Sequence, residues 1–156
     1  MSYAFDTSPL SALFKNYYRT VFPTLWQGFD ELVANGAILS TREVLREIED
    51  SPLENLRQWA ADHAEVFPAP TAVEAQAVAR IFAVPHFQNN IEGRKLLRGG
   101  LVADPFVIAR AAVADATVIT METLKPHAAD IPNICKHFGI RWLSLEGFMK
   151  AENWTF

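Results

Sequence analysis

Four carboxylates, Asp6, Glu47, Asp104 and Glu122, occupy positions where oxygen-ligand chemistry is an alternative to local packing. Asp6 follows the apolar run Tyr3-Ala4-Phe5 and precedes Thr7-Ser8-Pro9-Leu10. With Ser8 as N-cap and Pro9 at the first helical position, Asp6 is expected to be exposed at the carboxyl end of a first strand. Asp104 and Glu122 bracket one apolar unit, LVADPFVIARAAVADATVITME. There Asp104-Pro105 suits a helix start, because aspartate accepts free first-turn N–H groups and proline has none to lose. Ala116-Thr117-Val118-Ile119-Thr120 then reads as a buried strand running toward Glu122. Each acid also has a bland explanation: a turn or cap for Asp6, a simple helix start for Asp104, a solvated loop for Glu122.

The helix after the second strand offers Glu43, Glu47 and Glu49. Ser40…Glu43 forms an S-x-x-E capping box that occupies Glu43. Glu47 lies one turn later on the same face and Glu49 is rotated away, so Glu47 is the expected inward acid. Carboxylates converging on one cleft suit hard divalent cations such as Mg²⁺ or Mn²⁺. The matching chemistry is phosphodiester hydrolysis, in which one cation activates a water and a second, about 3.5–4 Å away, stabilises the leaving oxygen.

Rival chemistries lack their motifs. The chain has no glycine-rich phosphate loop after a strand, no G-x-S-x-G and no C-x-x-C. His63, His86, His127 and His137 lack metal-ligand spacing and are assigned surface or packing roles, and Cys135 reads as a small core residue. Arg94, Lys95 and Arg98 put three cations on one helix just before the Asp104 unit, either as a solvated face or as phosphate contacts beside the cleft.

The elements needed to position these groups follow from periodicity and punctuation. Helices are expected from Pro9, over Phe22 to Asn35 with Gly36 as stop, over about 41–50, 52–65 and 72–84 behind capping boxes at Ser40…Glu43, Ser51…Glu54 and Thr71…Glu74, and over Phe87 to Arg98 before Gly99-Gly100. A helix near Ile131 to Phe138, a strand near Ile140 to Leu143 and a short final helix complete the pattern. Short apolar strands separated by helices predict an α/β fold with a mainly parallel sheet covered on both faces. Ligands of such sheets lie beyond the carboxyl ends of the strands, where Asp6 and Glu122 are expected.

The 156 residues, 50% of them hydrophobic, suit one domain. The single cysteine and the lack of a signal-peptide pattern predict a cytoplasmic protein, and no window is apolar enough to predict a membrane span. A formal charge of −4 argues against coating nucleic acid by bulk positive potential, but not against a nuclease whose cations reverse the local sign.

In order and spacing these motifs resemble the PIN-domain nucleases. The first strand with its acid and hydroxyl is similar to Tyr3-Ala4-Phe5-Asp6-Thr7-Ser8, and a V-L-x-E-L-type helix is similar to Val44-Leu45-Arg46-Glu47-Ile48. An aspartate opening an alanine-rich helix resembles Ala103-Asp104-Pro105-Phe106-Val107-Ile108-Ala109. The last motif, usually threonine, any residue, aspartate, here reads Thr120-Met121-Glu122. The resemblance spans residues 3 to 143 and implies a three-layer α/β/α fold with four or five central strands and a helical insertion over about 52–98. It also implies an endoribonuclease using Mg²⁺ or Mn²⁺, with Asp6, Glu47, Asp104 and Glu122 as metal ligands and Thr7, Ser8 and Thr120 in support. Many small PIN proteins are toxins of VapBC-like toxin–antitoxin pairs, so an antitoxin partner, and a homodimer, are among its implications. Two rivals remain at this point: a non-catalytic PIN-like module that binds RNA or a protein, and a doubly wound phospho-acceptor or small-ligand domain using Asp6 alone.

Overall fold

The computed structural model describes residues 1–97 and 102–156. Strand β1 (Tyr3–Phe5) leads into helices α1 (Thr7–Asn16) and α2 (Pro23–Ala34), then β2 (Ile38–Leu39) and α3 (Arg42–Glu49). Helices α4 (Glu54–Asp62), α5 (Ala72–Phe82) and α6 (Pro85–Leu97) precede α7 (Asp104–Ala114) and β3 (Thr117–Ile119). Helix α8 (Ile131–Phe138), β4 (Trp142–Leu143) and α9 (Leu145–Ala151) complete the order. Arg98 and the expected Gly99-Gly100 stop lie outside the described residues.

The four strands form one wholly parallel sheet in the order β2-β1-β3-β4, giving the α/β architecture expected. Tyr3 and Ala4 register with Ile38 and Leu39 on one side, and Tyr3, Ala4 and Phe5 register with Thr117, Val118 and Ile119 on the other. From β1 the chain moves outward to β2, then crosses back to β3. Right-handed crossovers in opposite directions place their helices on opposite faces of the sheet. The same reversal makes the gap between β1 and β3 the switch point of the sheet, where a crevice opens beyond the carboxyl ends.

On one face the Phe5 ring meets Phe29 of α2 at 6.1 Å and Phe148 of α9 at 5.1 Å between centroids, both edge-on. The neighbouring Tyr3 ring meets Phe148 at 4.7 Å, and its hydroxyl donates to Glu152. Helices α5 and α7 pack closely, α7 supplying fully buried Val107, Ile108 and Ala111 to the core. Gly36 takes the left-handed φ of 72° expected of a helix stop.

Local capping is corrected in several places. Helix α1 starts at Thr7 with Asp6 at the N-cap position, so Ser8 is not the cap and Pro9 is not the first helical residue. Thr71 and Glu74 form a complete capping box at α5, but the other two expected boxes are absent. Helix α3 is capped by Thr41, which accepts from the Val44 N–H at 3.4 Å, while Ser40 donates to the Phe5 carbonyl at 2.8 Å. Ser51 accepts from the Leu53 N–H at 3.1 Å and Leu53 occupies the N-cap position of α4. Among the described residues no helix is long and apolar enough to cross a membrane.

Candidate active site

Beyond the carboxyl ends of β1 and β3 the fold gathers the four acids singled out in the sequence. Asp6 follows β1 directly, its N–H donating to the Ile119 carbonyl of β3 at 3.0 Å. It is 5% exposed rather than solvent-facing, a correction to the sequence expectation. Although it occupies the N-cap position of α1, its side chain makes no capping bond. Asp104, 3% exposed, is the first residue of α7 and likewise caps nothing. Asp6 accepts from the adjacent Thr7 N–H rather than from a later N–H of the first turn, and Asp104 opens α7 one residue past its N-cap while pairing with Arg94, so capping by itself does not account for two buried carboxylates.

The electrostatics show that the acids share one locale. Burial raises the Asp6 carboxyl well above its ordinary range, and the charge of Asp104 adds to the rise. The Thr7 backbone N–H opposes this, while Glu122 and Glu47 push further upward. Glu122 is raised by burial and then by Asp104, opposed by the Ile131 N–H, raised again by Asp130 and lowered by Arg94. Crowding of negative charge, partly removed from water, is the condition that a bound cation relieves.

Each acid is also held by the protein. Thr7 donates its hydroxyl to Glu47 Oε1 at 2.6 Å, which fixes the α3 acid toward α1. Glu43 turns instead to Arg42 and Arg46, both at 3.0 Å. Thr120 Oγ1 accepts from the Glu122 N–H at 3.1 Å, and Glu122 Oε2 accepts from the Ile131 N–H at 2.7 Å. Glu122 thus satisfies a first-turn N–H of α8, whose own N-cap residue Asp130 makes no side-chain cap. Ser8 lies exposed in the first turn of α1.

Arg94 differs most from its sequence assignment. Its guanidinium donates to Asp104 Oδ2 at 2.7 Å and to the Ala129 carbonyl at 2.6 Å, with Asp130 3.8 Å away. It is turned into the acid cluster rather than offered to solvent, whereas Lys95 is exposed. The only sequence signal for this was a cation ten residues before Asp104, which fixes no direction. The ion pair needs the approach of α6 to α7, a tertiary event.

The all-oxygen donor set of Asp6, Glu47, Asp104 and Glu122 fits a hard divalent cation in chemical type. Among the described residues, however, no three acidic, histidine or cysteine side chains are already arranged as a ligand set. Arg94 supplies the positive charge next to Asp104 instead.

Comparison with known proteins adds the following. The chain is similar to a chain in the crystal structure of VapBC2 from Rickettsia felis bound to a DNA fragment from their promoter, with 13% identity and a TM-score of 0.49, covering 92% of this chain and 98% of that one. No curated protein matches it. The model of one family spans residues 3–156, from the first residue of β1 to the end of the chain, and the protein accordingly belongs to the family described as Domain of unknown function (DUF4411).

Proposed function

We propose that this protein is a metal-dependent PIN-like endoribonuclease whose acids Asp6, Glu47, Asp104 and Glu122 hold Mg²⁺ or Mn²⁺. The observation that carries the reading is the convergence of two buried, non-capping aspartates with two glutamates at the switch point of a parallel sheet. When bound, the cation supplies an activated water and charge neutralisation for phosphodiester hydrolysis. Asp6 and Asp104 contribute the most buried ligand charge. Thr7 orients Glu47, and Thr120 fixes the backbone from which Glu122 projects. Labelled RNA incubated with Mn²⁺ tests the proposal: cleavage by the wild type, lost in both Asp6→Asn and Asp104→Asn while the fold is retained, is the expected result. Equal cleavage by wild type and both variants sinks it.

The resemblance to VapC-type toxins extends the proposal to a toxin role with an antitoxin partner. Growth arrest on expression, relieved by co-expressing the protein encoded next door, is the corresponding test.

The Arg94–Asp104 pair favours a second reading, a non-catalytic PIN-like module that binds RNA or protein with its acids neutralised internally. Mn²⁺-dependent cleavage separates the two readings.

A further inference from the structure

With Arg94 committed to Asp104, the question of what holds an anionic strand beside four carboxylates is open. The segment joining β3 to α8 provides an answer. It begins next to Glu122, and its far end touches α6 twice: the Ala129 carbonyl accepts from Arg94, and the Ala128 carbonyl lies 3.3 Å from His86 Nε2. Past Ala128 lies an open cavity of about 490 Å³, with His86, Phe87, His127, Lys136 and His137 among its lining residues. His86, His127, Lys136 and His137 are all exposed, and no carboxylate lines the cavity among the described residues. This contrasts with a chain of net charge −4 and with the acids on the other side of Ala129.

The cavity is built rather than incidental. Phe87 is 5% exposed and meets the His137 ring edge-on at 5.3 Å, so a core side chain supports the imidazole. His127 is held at φ 59°, a left-handed conformation that few residues other than glycine adopt. Three separate segments, the start of α6, the β3–α8 connection and α8, thereby bring imidazoles and an ammonium to one concavity. Lysine offers a compact positive charge with three donors, imidazole N–H groups donate to phosphate oxygens, and aromatic faces accept stacked bases.

We propose that this cavity is a substrate subsite that takes the phosphodiester backbone of the single-stranded RNA flanking the scissile bond, with Lys136 as principal phosphate contact, His127 and His137 as donors, and the ring of His86, whose Nε2 is committed to the Ala128 carbonyl, as stacking surface. The assignment rests on the nuclease reading above. It names a basic contact surface that the Arg94, Lys95 and Arg98 cluster does not supply through Arg94.

The test is fluorescence anisotropy with a labelled oligouridylate in Mg²⁺ buffer, using cleavage-blocked Asp6→Asn as the reference protein. Adding His127→Gln, Lys136→Gln and His137→Gln together is expected to weaken binding at least ~10-fold, since charge-assisted contacts are lost. The salt dependence of binding flattens by a slope of about 0.7 for the one phosphate contact made by Lys136. Lys136→Arg alone retains the slope. All three substituted side chains are exposed, but the His137 ring also rests on Phe87, so melting temperatures are measured alongside and Lys136→Gln with His127→Gln, leaving His137 in place, separates lost contacts from lost packing. Unchanged affinity and slope in the triple variant, with RNA still cleaved by the wild type, overturns the subsite and leaves the nuclease reading standing. Absence of both RNA binding and cleavage in the wild type overturns both. A triple variant that loses affinity for polyglutamate but not for oligouridylate makes the cavity a site for an acidic protein segment and overturns the RNA assignment.

Discussion

Asp6 shows how one side chain can oppose the fold that holds it. Its carboxyl is raised in the folded protein above the ordinary 3.8, so the folded state binds a proton more tightly than the unfolded chain. Stability therefore falls as pH rises from the ordinary carboxylate range through the raised value, and the full penalty is present above it. Asp6→Asn is expected to raise the melting temperature near neutral pH and to flatten this dependence; thermal melts across the acid range would reveal an unchanged slope if the assignment is wrong. Arg94→Gln should act in the other direction. It strands Asp104 as a buried carboxylate, with a cost toward the lower end of the ~3–5 kcal/mol seen when one partner of a buried pair is removed. Mn²⁺ should then restore more stability to this variant than it adds to the wild type, as calorimetric melts with and without the ion would register. Glu43→Gln removes only exposed arginine pairs and should cost no more than about 1 kcal/mol, whereas Glu47→Gln should abolish RNA cleavage in a gel assay with little change in stability. Helical spacing set Glu49 aside, but Glu43 was set aside through a Ser40…Glu43 capping box that does not form; what distinguishes Glu47 in the structure is its bond from Thr7, while Glu43 pairs with arginines. The burial of Asp6 and the inward turn of Arg94 were not legible in the sequence, because both depend on partners brought together by the β1–β3 pairing and the α6–α7 approach.

At the level of elements, the helices were largely legible and their caps were not. Helix α8 spans Ile131–Phe138 as expected, and α2 and α5 fall close to their expected bounds. Apolar periodicity is a sum over many residues and survives local competition. A cap rests on one hydroxyl, and a distant acceptor can take it. Ser40 illustrates this: its hydroxyl goes to the Phe5 carbonyl, 35 residues away, instead of to the first turn of α3. Ser40→Ala should consequently cost about 1–3 kcal/mol by leaving a buried carbonyl without its donor, more than a cap residue elsewhere. Thr71→Ala, which removes a true capping box, should cost about 1 kcal/mol. Denaturant melts would compare the two, and the opposite ranking would restore the local explanation. The strands proved shorter than their apolar runs: Ala116 and Thr120 are buried without belonging to β3, although the Thr120 N–H still donates to the Leu143 carbonyl of β4.

For the molecule as a whole, the proposed cation site would link ion binding to folding. A ligand held by the folded state alone stabilises it by about 2.7 kcal/mol at a hundred times its dissociation constant. Saturating Mn²⁺ should raise the melting temperature of the wild type and leave Asp104→Asn little changed; equal shifts would place the ion away from the acids. The topology has a further consequence, concerning the order of synthesis. The residues that complete the site are scattered: Asp6 comes near the start, Glu122 after more than three quarters of the chain, and the Tyr3 hydroxyl is tied to Glu152 across 149 residues. Strand β1 lies inside the sheet, between β2 and a β3 that does not yet exist when β1 is made. At a translation rate of about 5–20 residues per second, an interval on the order of ten seconds separates Asp6 from Asp104 and Glu122. A growing chain thus carries its acids apart from one another, and any hazard that the proposed nuclease site would pose to RNA begins only once Glu122 has emerged and β3 has paired with β1.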